Sequence, residues 1–425
     1  MSQLPQTTFA ALRDDVHEVS FRPDAGGARR IGAEVELLAV DDATDRPLPL
    51  GGESRGLIAL LRRYGASRRW LEIPGYGSVS RFAVCVGATI SFEPGGQLEL
   101  SSAPAASPSS LIAALRDTLV PLRAALADEG VRLEPVGIDP YNDARAIPLQ
   151  LDAERYRRMT AYFESIGPYG IRMMRQTAAL QLSVDRGGEP AARWRLLNDL
   201  APYLIAIFAN SPHYLGADTG HRSYRAHCWR SLDRSRTGVA VADDDPAAAY
   251  TRFALSAHEM LRPTSHQLHR SFENCLSDGV VTTEAWREHL TTLFPEVRPR
   301  GHFEVRSCDA IGLEWIAVPI VLVYGLTYDA HAAREAALLA GESLALLRSA
   351  GVDGLEDTSI ARTSRDLFQL AIDGARRLGP DCVSPSDIDV ARTFYATYTG
   401  RARSPADDRV LRARDTESIS TARSR

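Results

Sequence analysis

Three short segments of the chain set acidic, amide or basic side chains two residues apart around an apolar one. They are Gly32-Ala33-Glu34-Val35-Glu36-Leu37, Glu93-Pro94-Gly95-Gly96-Gln97-Leu98-Glu99-Leu100 and His302-Phe303-Glu304-Val305-Arg306. In a strand, side chains at i and i+2 share a face and lie roughly 7 Å apart. Each segment therefore reads as a strand with one polar and one greasy face. If the three strands share a sheet, Glu34, Glu36, Glu93, Glu99 and Glu304 converge on one surface. Such crowding is electrostatically costly unless divalent cations sit between the carboxylates, and hard oxygen donors suit Mg²⁺ or Mn²⁺. Any one segment could equally be a solvated sheet face or a surface ion pair. The repeated pattern is what points to a site.

The counterpart is arginine. Arg222, Arg225, Arg230, Arg234 and Arg236 crowd one stretch together with Trp229 and Thr237-Gly238. A guanidinium grips carboxylate or phosphate through two parallel hydrogen bonds. Carboxylates, a cation and arginine together suit phosphoryl chemistry, in which metal neutralises a polyphosphate and arginine stabilises the transferring group. All 49 basic residues are arginine, with no lysine anywhere in the 425 positions. That excludes lysine-dependent phosphate loops, Schiff bases, protein-kinase-like ATP sites and lysine-dependent adenylating ligases. Arg298-Pro299-Arg300 reads as a surface turn, Met173-Met174 as core filling, and Cys228 and Cys308 as inert small apolar residues.

The elements that must position these residues follow from periodicity. Strands are expected at Arg30–Val40, within a hairpin-like run over Val79–Ser102 whose tight turn is Pro94-Gly95-Gly96, at Arg132–Ile138, over Gly170–Asp185 and at His302–Ser307. Helices are expected at Asp14–Ser20, Leu57–Tyr64, Pro108–Glu129, Asp152–Ile166, Ala192–Asn210 and Trp286–Leu293, and almost throughout the chain after residue 313. His221–Gly238 reads as an irregular arginine-rich loop. Residues 1–400 are expected to form one catalytic domain, with a charged, Ser-rich disordered tail over Arg401–Arg425. Strands followed by helices without regular alternation predict an α+β fold with a mainly antiparallel sheet.

Composition narrows the class. An apolar content of 44% with 24% charged residues is ordinary for a globular protein. A net charge of −5 gives no basic footprint for nucleic acid. Five irregularly spaced cysteines argue against a disulfide framework or a zinc ribbon. No signal pattern opens the chain, and the longest apolar runs, Leu204–Ala209 and Ile316–Leu326, are too short to span a bilayer. The expectation is a cytoplasmic enzyme, monomeric or a homodimer, without nucleic-acid or membrane partners.

The run Glu93-Pro94-Gly95-Gly96-Gln97-Leu98-Glu99-Leu100-Ser101 resembles the signature of plant-type glutamate–cysteine ligases. The likeness continues through Met173-Met174, Thr177, Gln181-Leu182-Ser183-Val184-Asp185, Ile207-Phe208-Ala209-Asn210-Ser211-Pro212, Arg225-Ala226-His227-Cys228-Trp229 and Asp233-Arg234-Ser235-Arg236-Thr237-Gly238. It extends through the run from Trp286 to Arg298 and Phe303-Glu304-Val305-Arg306 to Tyr328-Asp329, spanning about residues 30 to 330. The resemblance implies a glutamine synthetase-like carboxylate–amine ligase, a curved antiparallel sheet whose concave face is acidic. It also implies that ATP phosphorylates the γ-carboxylate of glutamate and that the amine of cysteine displaces phosphate.

By the same resemblance Glu34, Glu36, Glu93, Glu99 and Glu304 look like Mg²⁺ (or Mn²⁺) ligands. Arg306 would stabilise the transferring phosphoryl, with Glu304 and Arg225 beside it in the catalytic set. Arg225, Trp229, Thr177, Gln181, Gln97 and Arg236 would bind substrate. The chain departs from the family pattern at Val35, where a histidine is usual, at Ala178, where plant members carry a regulatory cysteine, and at Ser307-Cys308, before Asp309. The alternatives are a ligase of the same family using another amine or serving ergothioneine synthesis, a phosphotransferase releasing the acyl phosphate, and a non-catalytic metal-binding regulator.

Overall fold

The computed structural model describes residues 8–410 apart from 25, 28, 53, 86, 239–243, 263–268 and 278–281. Eleven strands are present among them: β1 Ile31–Asp41, β2 Leu71–Pro74, β3 Ser80–Cys85, β4 Ala88–Phe92, β5 Leu98–Ser101, β6 Val131–Glu134, β7 Ala179–Val184, β8 His213–Tyr214, β9 Ala217–Asp218, β10 Val297–Pro299 and β11 Phe303–Asp309. Strands β8 and β9 form a separate ribbon. The other nine make one sheet in the order β10-β11-β7-β1-β5-β4-β3-β2, with β6 pairing the far half of β1. Every pairing is antiparallel. Helices surround the sheet, so the architecture is the α+β class expected from the sequence.

The register decides which residues share a face. Glu36 pairs with Glu99, and Glu34 with both Ser101 and Gln181. Ser91 pairs with Glu99, and Glu304 with Ser183. Directly opposed residues of an antiparallel pair point to the same side. The three acidic segments therefore present their ionic side chains on one face. On the other face Leu37, Ile90, Leu98, Leu100 and Leu182 are fully buried, in one cluster with Leu115 and Leu119 of the helix Pro108–Asp128, Leu204 of the helix Pro190–Ile207, and Ile320 of the helix Ala317–Tyr328. Period-two alternation thus produces a sheet with one oily face and one reactive face.

The turn between β4 and β5 is anchored from outside. The Glu93 N–H donates to the Gln97 carbonyl at 2.9 Å and the Gly96 N–H to the Glu93 carbonyl at 2.8 Å. A Cβ at Gly95 would stand 2.1 Å from the Arg175 carbonyl oxygen, so the backbone passes there with no room for a side chain. Gly95→Ala is expected to cost about 1–3 kcal/mol by overpacking. Denaturant unfolding at constant slope would measure it.

Several expected elements differ. Gly170–Gln176 is not strand: Tyr169–Gln176 is a helix burying Ile171, Met173 and Met174, and only Ala179–Val184 continues as β7. His221–Gly238 is not an irregular loop but carries the helices Tyr224–Leu232 and Arg234–Thr237. Arg298-Pro299-Arg300 is not a surface turn: Arg298 is buried on β10. The chain also stays packed past residue 400. Ala406 is fully buried and its N–H donates to the Ala209 carbonyl at 2.9 Å, while Arg409 reaches Asn210 Oδ1 at 2.7 Å. Residues 411–425 of the expected tail lie outside the described residues. Among the described residues no single helix is long and apolar enough to cross a membrane.

Candidate active site

A cavity of about 500 Å³ opens on the reactive face of the sheet. Its floor is acidic. Glu34 and Glu36 come from β1, Glu99 from β5 and Glu93 from the turn ahead of it, and all four line the cavity. Carboxylate oxygens of Glu36, Glu93 and Glu99 lie within 4.8 Å of one another. Glu36 is held hard: it accepts from the Ala179 N–H at 2.8 Å and from Gln181 Nε2 at 2.6 Å. Glu99 accepts from the hydroxyls of Ser91 at 2.9 Å and Ser101 at 2.8 Å. Thr177 donates to the Met173 carbonyl at 2.7 Å and lines the floor beside Gln181.

Burial and mutual repulsion show in the titration of these groups. Burial first, then the nearby Glu99 charge, pushes Glu34 from 4.5 up to about 8. The same two causes push Glu36 up to about 7, and Glu93 is raised well above the usual carboxylate range. The floor thus holds more acid than it can ionise alone. Three oxygen donors in close reach, raised acids and a buried, unpartnered Gln181 Oε1 fit a divalent cation, whose charge would restore ionisation.

Because the folded acids take up protons that the unfolded chain has lost, metal-free protein loses stability as pH rises from 4.5 towards about 8. Mg²⁺ is therefore expected to raise the melting temperature more at pH 8 than at pH 6, and binding at pH 6 to release protons. Melting curves at both values, with proton release read in two buffers, check this.

Facing the acids is a wall of arginine on aromatic rings. The Arg225 and Arg306 guanidinium carbons stand 5.2 and 5.0 Å from the Trp229 ring centre. Trp229 is pinned by its Nε1–H donating to the Phe294 carbonyl at 2.9 Å. Arg225 Nη2 donates to the Arg306 carbonyl at 2.8 Å, and the Nε–H groups of both arginines are buried without a partner. Each arginine keeps a donor free for an anion. Tyr76, Tyr156, Met159, Met173, Met174 and Phe294 form the remaining apolar wall. Cys228 and Cys308 lie outside the cavity lining, and burial raises both thiol pKa values, Cys228 to about 12.

Three expected site residues play parts other than those expected. Glu304, expected as a metal ligand, is almost fully buried and does not line the cavity. It accepts from Arg298 Nη2 at 2.8 Å and Nε at 3.1 Å, from Arg300 at 3.4 Å, and from Arg306. Those arginines hold its pKa well below the usual carboxylate range. Arg236, expected to bind substrate, is fully buried away from the cavity: it pairs with Asp233 at 2.8 Å and donates to the Thr292 and His258 carbonyls. Gln97 does line the cavity, yet its amide is spent on scaffold, bonding the Gly95 N–H and the Thr177 carbonyl at 2.9 Å each.

The main residue missed from sequence is Arg298, which lines the cavity and grips Glu304 with two nitrogens. Its signal was the i, i+2 pair Arg298/Arg300 beside Val297, hidden by Pro299. Arg155, which donates to Thr291 Oγ1 at 2.7 Å, carried no readable pattern.

The solved glutamate–cysteine ligase of Francisella tularensis, in complex with AMP, shares the fold at a TM-score of 0.54 and 13% identity, over 91% of this chain and 85% of that one. The chain is 32% identical to the glutamate–cysteine ligase EgtA of Mycolicibacterium smegmatis, over 90% of this chain and 87% of that protein. It is 30% identical to the chloroplastic glutamate–cysteine ligase of Medicago truncatula, over 68% of this chain and 62% of that one. The model of glutamate–cysteine ligase family 2 matches residues 30–378. This chain belongs to that family, and it is an enzyme of the ligase class.

Proposed function

We propose that the chain joins the γ-carboxylate of glutamate to the amine of cysteine, with cleavage of ATP to ADP and phosphate. The observation that carries the reading is the opposition, across one cavity, of Glu34, Glu36, Glu93 and Glu99 to Arg225, Arg298 and Arg306. Its volume also falls inside the roughly 300–1,000 Å³ common for small-molecule sites.

A γ-carboxylate oxygen of glutamate attacks the terminal phosphorus of ATP, and the bond to ADP breaks. The amine then attacks the acyl carbon, phosphate leaves with the bonding pair, and the amine loses a proton. Arg225, braced on Trp229, orients the glutamate. Arg306 places its free N–H groups where negative charge develops on the transferring phosphoryl. Arg298 keeps Glu304 neutralised, so that Glu304 can fix Arg306 without cancelling it. Glu36, Glu93 and Glu99, with Glu34 beside them, would hold Mg²⁺ or Mn²⁺. That cation neutralises polyphosphate charge when bound. Thr177 and Gln181 form the polar floor beneath.

The test is incubation with glutamate, cysteine, ATP and Mg²⁺. ADP and γ-glutamylcysteine are expected in equal amounts. Absence of ADP with every amine offered would remove the reading. A panel of amines ranked by kcat/KM separates cysteine from another acceptor.

A further inference from the structure

Asp309, at the end of β11, belongs to none of the roles above and is 1% exposed. Its Oδ2 accepts from the Asn210 N–H at 2.8 Å and from the Ser211 hydroxyl at 2.6 Å. Its Oδ1 accepts from the Ser223 hydroxyl at 2.9 Å and faces Arg225 Nη1 at 3.6 Å. The same two serines control Arg225 from behind. Ser211 Oγ accepts the Arg225 N–H at 3.1 Å, and Ser223 Oγ caps the helix Tyr224–Leu232 through the Ala226 N–H at 3.1 Å. The carboxyl carbon packs against the Gly137 backbone, where an added Cβ would stand only 2.5 Å from Asp309 Cγ.

One buried carboxyl group therefore faces the Arg225 guanidinium and reaches its backbone through Ser211. The Arg306 carbonyl takes one terminal nitrogen of Arg225, Asp309 stands 3.6 Å from the other, and the Nε–H is unpartnered. A guanidinium fixed along one edge offers the other without losing rotamer freedom on binding. We infer that Asp309 is a positioning residue for Arg225, and that the two act as one unit in recognising the carboxylate substrate. This rests on the reading of Arg225 as the glutamate-binding arginine.

The test uses glutamate binding by calorimetry without nucleotide, the KM and kcat of turnover, and melting curves. The proteins are wild type, Asp309→Asn, Arg225→Gln and the double variant. Asp309→Asn is expected to weaken glutamate about tenfold in both Kd and KM, with kcat at saturation within about twofold. In the Arg225→Gln background it is expected to add almost nothing, because residues acting through one another are not additive. Should Asp309→Asn fail to fold, Ser211→Ala keeps the carboxylate and is expected to give a loss of about threefold.

Unchanged glutamate affinity in Asp309→Asn (or in Ser211→Ala, should that variant be the one tested), or an equal further loss on top of Arg225→Gln, would overturn the inference alone. A wild-type protein that binds no glutamate would overturn the proposed function and this inference together.

Discussion

Arg306→Ala is expected to lower kcat about a thousandfold while leaving the protein folded. Arg306 is the arginine whose guanidinium both touches Glu304 and lines the cavity with an unpartnered Nε–H. Charge that builds on a transferring phosphoryl has to meet donors already in place, since reorganising them during reaction costs rate. Folding should survive because Glu304 keeps Arg298 and Arg300 as partners, so no buried carboxylate is stranded. Arg306→Lys is expected to recover only a small part of the rate. A point charge cannot hold Glu304 and a phosphoryl at once as the planar fork does. Steady-state kinetics beside circular dichroism separates the effects. Unchanged turnover in Arg306→Ala would favour a non-catalytic role for the cavity.

Glu36→Gln should have effects of opposite sign on stability and activity. The substitution is isosteric, and the side chain can still accept from the Ala179 N–H. It removes one negative charge from a cluster where burial and Glu99 already push Glu36 up to about 7. Metal-free Glu36→Gln is therefore expected to melt higher than metal-free wild type at pH 8, where the wild-type acid would be ionised. Turnover is expected to fall by about a hundredfold or more, with a higher Mg²⁺ concentration needed for half-maximal rate. The melting temperature in chelator and the Mg²⁺ titration of activity read both signs. A lower melting temperature with unchanged Mg²⁺ dependence would mean that the cluster is a structural network.

What could be read from sequence was what obeys a period. The polar-apolar-acid steps at Glu34/Glu36 and Gln97/Glu99 located β1 and β5, and pairing then brought Glu36 opposite Glu99. Elements whose buried side is not apolar escaped. The helix Tyr224–Leu232 buries Arg225, Cys228, Trp229 and Leu232, a helical stripe that opens with a charged residue, so hydrophobic periodicity saw a loop. Its start was signalled only by Ser223, which caps it. In Tyr169–Gln176 the buried set Ile171, Met173 and Met174 mixes spacings of two and one, and the true alternation begins only at β7.

Roles proved harder to read than positions. Arg236 and Arg225 look alike in an arginine-rich stretch, yet Asp233 takes one into the scaffold while the other lines the cavity. Glu304 follows the same grammar as Glu34 and Glu36, but Arg298, arriving on a strand next door in the sheet, claims its oxygens. Only tertiary pairing decides between such neighbours, and no local pattern encodes it. Gln97 shows the same division within one residue, exposed to the cavity while its amide holds the turn and the start of β7 in place.

In the proposed reaction the γ-carboxylate of glutamate is activated as an acyl phosphate in this cavity. The most direct measurement uses glutamate labelled with ¹⁸O in that carboxylate, turned over with ATP, Mg²⁺ and cysteine, with mass analysis of the phosphate released. One labelled oxygen is expected to pass to phosphate for every ADP and every γ-glutamylcysteine formed. Unlabelled phosphate, or AMP and pyrophosphate in place of ADP, would contradict it.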